Sequence, residues 1–162
     1  MKTILTPVDG SSNSDLAVEE SGILAKKFDA KVILLHVAHT ETSFSRQYED
    51  EYADETSISY MSEVDKKEAD EILERGEKIL EEMGVKPETA IRMGEPANEI
   101  LEFATEYPVD YIVMGSRGLS GIKKFLMGSV SSRVMEHSHC SVLIVKGEKK
   151  TPDIEVPLSL QV

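Results

Sequence analysis

Asp9, the glycines at 115, 118 and 121, Arg117, and the run Gly128-Ser129-Val130-Ser131-Ser132 are the residues whose types and spacing could do chemistry. The three glycines, at steps of three, follow the apolar run Tyr111-Ile112-Val113-Met114, and a Gly-Ser pair then opens a segment with helical spacing. Glycine lets backbone N–H groups turn toward one point with no Cβ in the way. The first N–H groups of a helix lack internal partners, and the helix dipole favours an anion beside them. With Arg117 nearby and the hydroxyls of Ser129 and Ser131, this is the pattern of a loop that holds phosphate. It is not a Walker A loop, because no Gly-Lys-Ser/Thr follows, and its Gly-x-x-Gly-x-x-Gly spacing is not the dinucleotide fingerprint. A structural turn with a helix cap would use the same glycines.

Other reactive-looking residues have plainer readings. Asp9 could face a ligand or could cap the helix that follows, a task open equally to Ser11 or Ser12. His36 lies inside an apolar strand, where a satisfied core histidine is the simpler reading than a base. His137-Ser138-His139-Cys140 has no fourth metal ligand at a sensible spacing. Ser129 and Ser131 have no His or Lys base beside them in sequence, so no catalytic residue is assigned.

The formal net charge of the 162-residue chain is −12, which argues against broad binding to nucleic acid or to an anionic membrane surface. The acids concentrate in residues 49–82, whereas residues 115–135 carry Arg117, Lys123, Lys124 and Arg133 and no acid. The one basic stretch of an acidic chain thus coincides with the glycine loop. That is either a solvated face or a loop kept attractive to a polyanion. The length fits one domain with a good core. No apolar run approaches a membrane span, Met1-Lys2 leads straight into Thr3-Ile4-Leu5 without a signal-peptide pattern, and the single Cys140 fits a reducing cytoplasm.

The elements that must position these residues alternate. Strands are expected over 2–8, with Pro7 at the C-terminal edge, over 31–37, over 88–93, over 110–114 and over 141–146. Helices are expected after Asp9-Gly10-Ser11-Ser12-Asn13, with a stripe of Ala17/Val18, Ser21, Leu24/Ala25 and Phe28, and over 62–83, stopped by Gly84. Two more are expected from Pro96 to before Pro108, and from Phe125 or Gly128 to His137. The unbroken run Val32-Ile33-Leu34-Leu35 points to a parallel sheet covered on both faces, and residues 88–93, more polar, to a sheet edge. Strand–helix alternation then gives an open, doubly wound, five-stranded parallel α/β sheet in a single domain over 1–147. Residues 38–62 read as a variable insert, either a lid, a partner surface or a mobile segment, with a short helix around Arg46 to Tyr52, and 148–162 as an extended or loosely attached tail. If the first and fourth strands are neighbours, Asp9 and the Gly115 loop share one crevice at the carboxyl ends of the strands.

Gly115-x2-Gly118-x9-Gly128-Ser129 resembles the nucleotide-binding pattern of the universal stress protein family. Ile4-Leu5-x-Pro7-x-Asp9-Gly10-Ser11, the strand Val32 to Val37, Gly94-x-Pro96, Asp110-x-Ile112-Val113-Met114-Gly115 and Cys140-Ser141-Val142-Leu143-Ile144-Val145 are similar to that family in order and spacing. Together they span residues 2–146. The resemblance implies a Rossmann-like fold of the adenine nucleotide alpha hydrolase-like kind. It also implies an ATP binder active as a sensor or regulator in the cytoplasmic stress response, with at most slow ATP hydrolysis. Carried over by position, Pro7, Val8 and Asp9 line the adenosine end, and Asp9 approaches ribose or a phosphate-bound Mg²⁺ or Mn²⁺. Val37 and Met114 flank adenine, and Gly115, Ser116, Arg117, Gly118, Gly128, Ser129, Val130 and Ser131 hold ribose and phosphates. The alternatives are a non-catalytic module that binds AMP or another anion, and an ATPase activated by a protein partner. Val142-Leu143-Ile144-Val145, an apolar edge strand, would need covering, and the resemblance implies a homodimer through it.

Overall fold

The computed structural model describes residues 1–39, 63–118 and 127–147. Its elements run β1 (Thr3–Pro7), α1 (Ser12–Phe28), β2 (Lys31–Ala38), α2 (Glu63–Glu82), β3 (Glu88–Met93), α3 (Pro96–Glu106), β4 (Tyr111–Gly115), α4 (Ser129–His137) and β5 (Ser141–Val145). The five strands form one parallel sheet in the order β3-β2-β1-β4-β5. Consecutive parallel strands need crossovers, and the helices supply them. β1 sits at the centre, and the chain winds outward through β2 to β3 before crossing to β4 on the other side. β1 and β4 are therefore neighbours, as Ile4 opposite Tyr111 and Leu5 opposite Ile112 record.

Side-chain alternation along the central strands fills two cores. Ile4, Val32, Leu34 and Val113 pack with Val18 of α1 and Leu73 and Leu80 of α2. Leu5, Ile33, Leu35 and Ile112 pack with Ile100 and Phe103 of α3 and Val134 of α4. A sheet covered on both faces explains the unbroken apolar run of β2, whose residues 32–38 are all buried. Among the described residues no helix is long and apolar enough to cross a membrane.

Local chemistry sets the element ends. Ser11 caps α1, its hydroxyl accepting from Ser14 N at 3.1 Å. Glu95 caps α3 by accepting from Ala97 N and Asn98 N, with Pro96 in the first turn. Gly84, at φ 77°, stops α2. Two expectations shift. Phe28, placed in the apolar stripe of α1, is 57% exposed, because the stripe ends at Ala25 and the left-handed cap Asp29 turns the chain away. The insert begins later than residue 38, since Ala38 completes β2 by pairing with Met93. The rest of the insert with its short helix, the Phe125 start of α4 and the tail lie outside the described residues.

An ion pair ties the turn before β4 to the start of β1. The Asp110 carboxylate accepts from Lys2 Nζ at 2.7 Å and from Thr3 N at 2.8 Å. The Lys2 hydrogen bond, then the Thr3 N–H, hold the Asp110 carboxyl below its ordinary 3.8. The same bond and the charge of Asp110 raise Lys2. A lowered carboxyl stabilises the fold fully above its unfolded value, and that contribution is lost as pH falls through the folded value. Asp110→Asn is therefore expected to melt lower than the parent at neutral pH. The difference should close in thermal melts as acid titrates Asp110; a gap that persists below that titration contradicts the ion pair.

Candidate functional site

In an open α/β sheet the crevice lies at the carboxyl ends of the strands where the winding reverses. Here that point is between β1 and β4, and a cavity of about 390 Å³ opens there. Ligand sites for small molecules are typically of this size class, roughly 300–1,000 Å³.

One wall is the end of β1. Val8 N donates to Leu35 O at 2.9 Å, holding the chain against β2 beyond the last paired residues. Asp9 Oδ1 accepts from Ser11 N at 3.0 Å, an Asx turn that leaves the capping of α1 to Ser11. The other Asp9 oxygen lies against Gly118, in the space that a Cβ there would occupy. The opposite wall is the end of β4 and the start of α4, braced by three hydrogen bonds. Ser116 N donates to Val145 O at 2.9 Å, Gly128 N donates to Ser116 O at 2.7 Å, and Ser131 Oγ donates to Gly115 O at 2.8 Å. Gly115 must be glycine because a Cβ would come within 2.9 Å of the Asn13 backbone in α1.

Pro7, Val8, Asp9, Val37, Met114, Gly115, Arg117, Gly118, Gly128, Ser129, Val130 and Ser131 all line this cavity. Ser116 does not: it is buried behind the loop, and its backbone is the brace. α4 has neither a side-chain cap at Gly128 nor an acid in its first turn. Its first N–H groups, by helix geometry, have no intrahelical acceptor. Val37 and Met114, both largely buried, supply apolar surface.

Sequence reasoning missed the wall contributed by α2. Asp65, Glu68 and Ile72 line the cavity, as do His39, Pro96 and Ile100. The spacing of Asp65, Glu68 and Ile72, by three and four residues, marks one line along α2, a signal that in sequence looks the same as a solvated acidic face. The α1–α2 side is electronegative. Burial pushes the Asp15 carboxyl up from 3.8, the Asp9 charge adds to the shift, and the paired Arg75 of α2 opposes it. His36 is buried, and its ring Nδ1 donates to Val8 O at 2.9 Å. His137 Nδ1 donates to Arg133 O at 3.0 Å, and among the described residues no three His, Cys, Asp or Glu side chains gather as a metal cluster.

The glycines separate into two kinds, which gives a test. Gly115→Ala should cost about 1–3 kcal/mol through the clash with Asn13. Gly128→Ser should change the urea midpoint little, because Gly128 has φ −63° and a Cβ there meets nothing closer than 3.4 Å. Equal loss in both variants would contradict this division.

The comparisons with known proteins agree with the fold. The sequence model of the Universal stress protein family matches residues 1–146. A universal stress protein of Methanocaldococcus jannaschii is 40% identical over 149 residues, covering 92% of this chain and 84% of that one. YxiE of Bacillus subtilis, another universal stress protein, is 40% identical over 147 residues, covering 88% and 97%. Among solved structures, the universal stress protein UspA from Lactobacillus plantarum superposes with TM-score 0.70 at 24% identity, covering 89% of this chain and 97% of that one. A universal stress protein in complex with cAMP superposes with TM-score 0.67 at 29% identity, covering 89% and 96%. The chain belongs to the universal stress protein family.

Proposed function

We propose that this member of the universal stress protein family binds ATP in the β1–β4 crevice and acts as a nucleotide-dependent regulator in the cytoplasmic stress response, hydrolysing ATP slowly at most. The observation that carries the reading is one cavity joining an apolar floor, Val37 and Met114, to an uncapped helix N-terminus with hydroxyls and a guanidinium beside it. Adenine needs apolar contact with a few backbone hydrogen bonds, and phosphates need N–H groups, hydroxyls and positive charge. In this reading Pro7 and Val8 border the adenosine, Asp9 meets ribose or a phosphate-bound cation, and Gly115, Arg117, Gly118, Gly128, Ser129, Val130 and Ser131 surround the phosphates. Ser116 acts behind them as support.

Gly128 lines the cavity at the start of α4, and neither its φ nor its packing requires glycine, so a side chain placed there would enter the cavity's margin without straining the fold. Mg²⁺ or Mn²⁺ fits the donor set only as a companion of the phosphates. Asp9 offers a hard carboxylate oxygen, and such cations keep waters and phosphate oxygens as their other ligands. A bound cation would supply charge neutralisation between the phosphates and the acidic α1–α2 side. The cAMP bound by the structural neighbour makes a monophosphate such as AMP the second reading. β5, at the sheet edge with Leu143 40% exposed, is the surface for a second copy.

Calorimetric titration of nucleotide-stripped protein tests the reading. Mg-ATP should bind with micromolar affinity, and Gly128→Val should abolish binding while the melting temperature stays near the parent's. No heat at high micromolar nucleotide, or equal affinity in the variant, removes it. AMP binding tighter than Mg-ATP selects the second reading. Light scattering should give a dimer, and a stable monomer rejects the β5 contact.

A further inference from the structure

His36 of β2 is a buried imidazole that lines the crevice beside Val37, and the nucleotide reading gives it no task. A carbonyl oxygen can only accept, so the 2.9 Å contact with Val8 O requires the hydrogen on Nδ1. That bond takes up the carbonyl of the peptide joining Val8 to Asp9. Val8 N is already held by Leu35 O. β1 therefore stays tethered to β2 past its last ladder pair, Pro7 with Leu35, and the second tether is a side chain. The peptide group is planar, so fixing its carbonyl fixes the direction in which the chain enters Asp9. At Asp9 the tolerance is small: one carboxylate oxygen is bound to Ser11 N and the other lies against Gly118.

We infer that His36 is a positioning residue for the nucleotide site, acting through the Val8–Asp9 peptide to set the Asp9 carboxylate against the Gly118 backbone. The inference rests on the proposed nucleotide reading and assigns His36 no contact with the reacting atoms. The Val8 carbonyl needs a donor at the position of Nδ1. An asparagine nitrogen, like Nδ1, is bonded to Cγ, whereas a glutamine nitrogen sits one atom further out, where Nε2 lies. Side-chain chemistry and donor position can therefore be separated.

The experiment measures Mg-ATP and AMP affinity by titration for His36→Asn, His36→Gln and His36→Phe, each also combined with Asp9→Asn, with circular dichroism to confirm folding. His36→Asn should bind within about twofold of the parent. His36→Gln and His36→Phe should bind roughly three- to tenfold more weakly, the worth of one hydrogen bond to a buried carbonyl. In the Asp9→Asn background those losses should vanish, because the carboxylate acted upon is gone. Losses that multiply independently of Asp9, or a folded His36→Gln protein that binds like the parent, overturn the inference while leaving the nucleotide reading intact. A parent protein that binds neither nucleotide overturns both.

Discussion

The backbone of Ser116 holds the two halves of the site together. Its N–H donates to Val145 O at the end of β5, and its carbonyl accepts from Gly128 N, the residue that opens α4. Without this pair of bonds the loop leaving β4 and the N-terminus of α4 would be separate pieces of chain. With them, the residues that follow β4 are held against the start of α4, and Ser131 adds a third tie to Gly115 O. Each bond lies in or beside the protein interior, where an unmade partner would be expensive. Ser116 thus governs the cavity from a place where it touches nothing in it.

The central strand meets this assembly from the other side. β1 lies between β2 and β4, and the cores on the two faces of the sheet fix it through Ile4 and Leu5. Its last residues present Asp9 to Gly118, and α1 begins so close to β4 that Gly115 has no room for a Cβ. Gly115 therefore answers to the fold and Gly118 to the Asp9 carboxylate, whereas neither φ nor packing holds Gly128 to glycine. A repeated residue type in one motif thus stands in different physical circumstances at each position.

Much of this was legible in the sequence. Strand–helix alternation and the apolar run of β2 gave the parallel sheet, the polar β3 gave an edge, and Glu95-Pro96 marked the start of α3. The two chemical stretches met as soon as β1 and β4 were placed side by side. What was not legible depended on tertiary contact. The α2 acids Asp65 and Glu68 look like any solvated pair until the helix is laid beside the crevice. Ser116 carries the same pattern whether it faces a ligand or the protein interior. Phe28 has helical spacing, yet the buried stripe stops at Ala25, one turn before the helix does. The capping of α1 was ambiguous among three residues, and only the 3.1 Å bond from Ser14 N to the Ser11 hydroxyl decides it.

The central claim is that the β1–β4 crevice is where an adenine nucleotide sits. Backbone amide shifts of isotope-labelled protein, followed during addition of Mg-ATP, test it most directly. The account predicts large changes at Asp9, Gly115, Gly118 and residues 128–131, with small changes at the far end of the sheet around Phe28, Tyr111 and Leu143. Saturable changes centred on that far end, with the loop and the first turn of α4 unmoved, would contradict it.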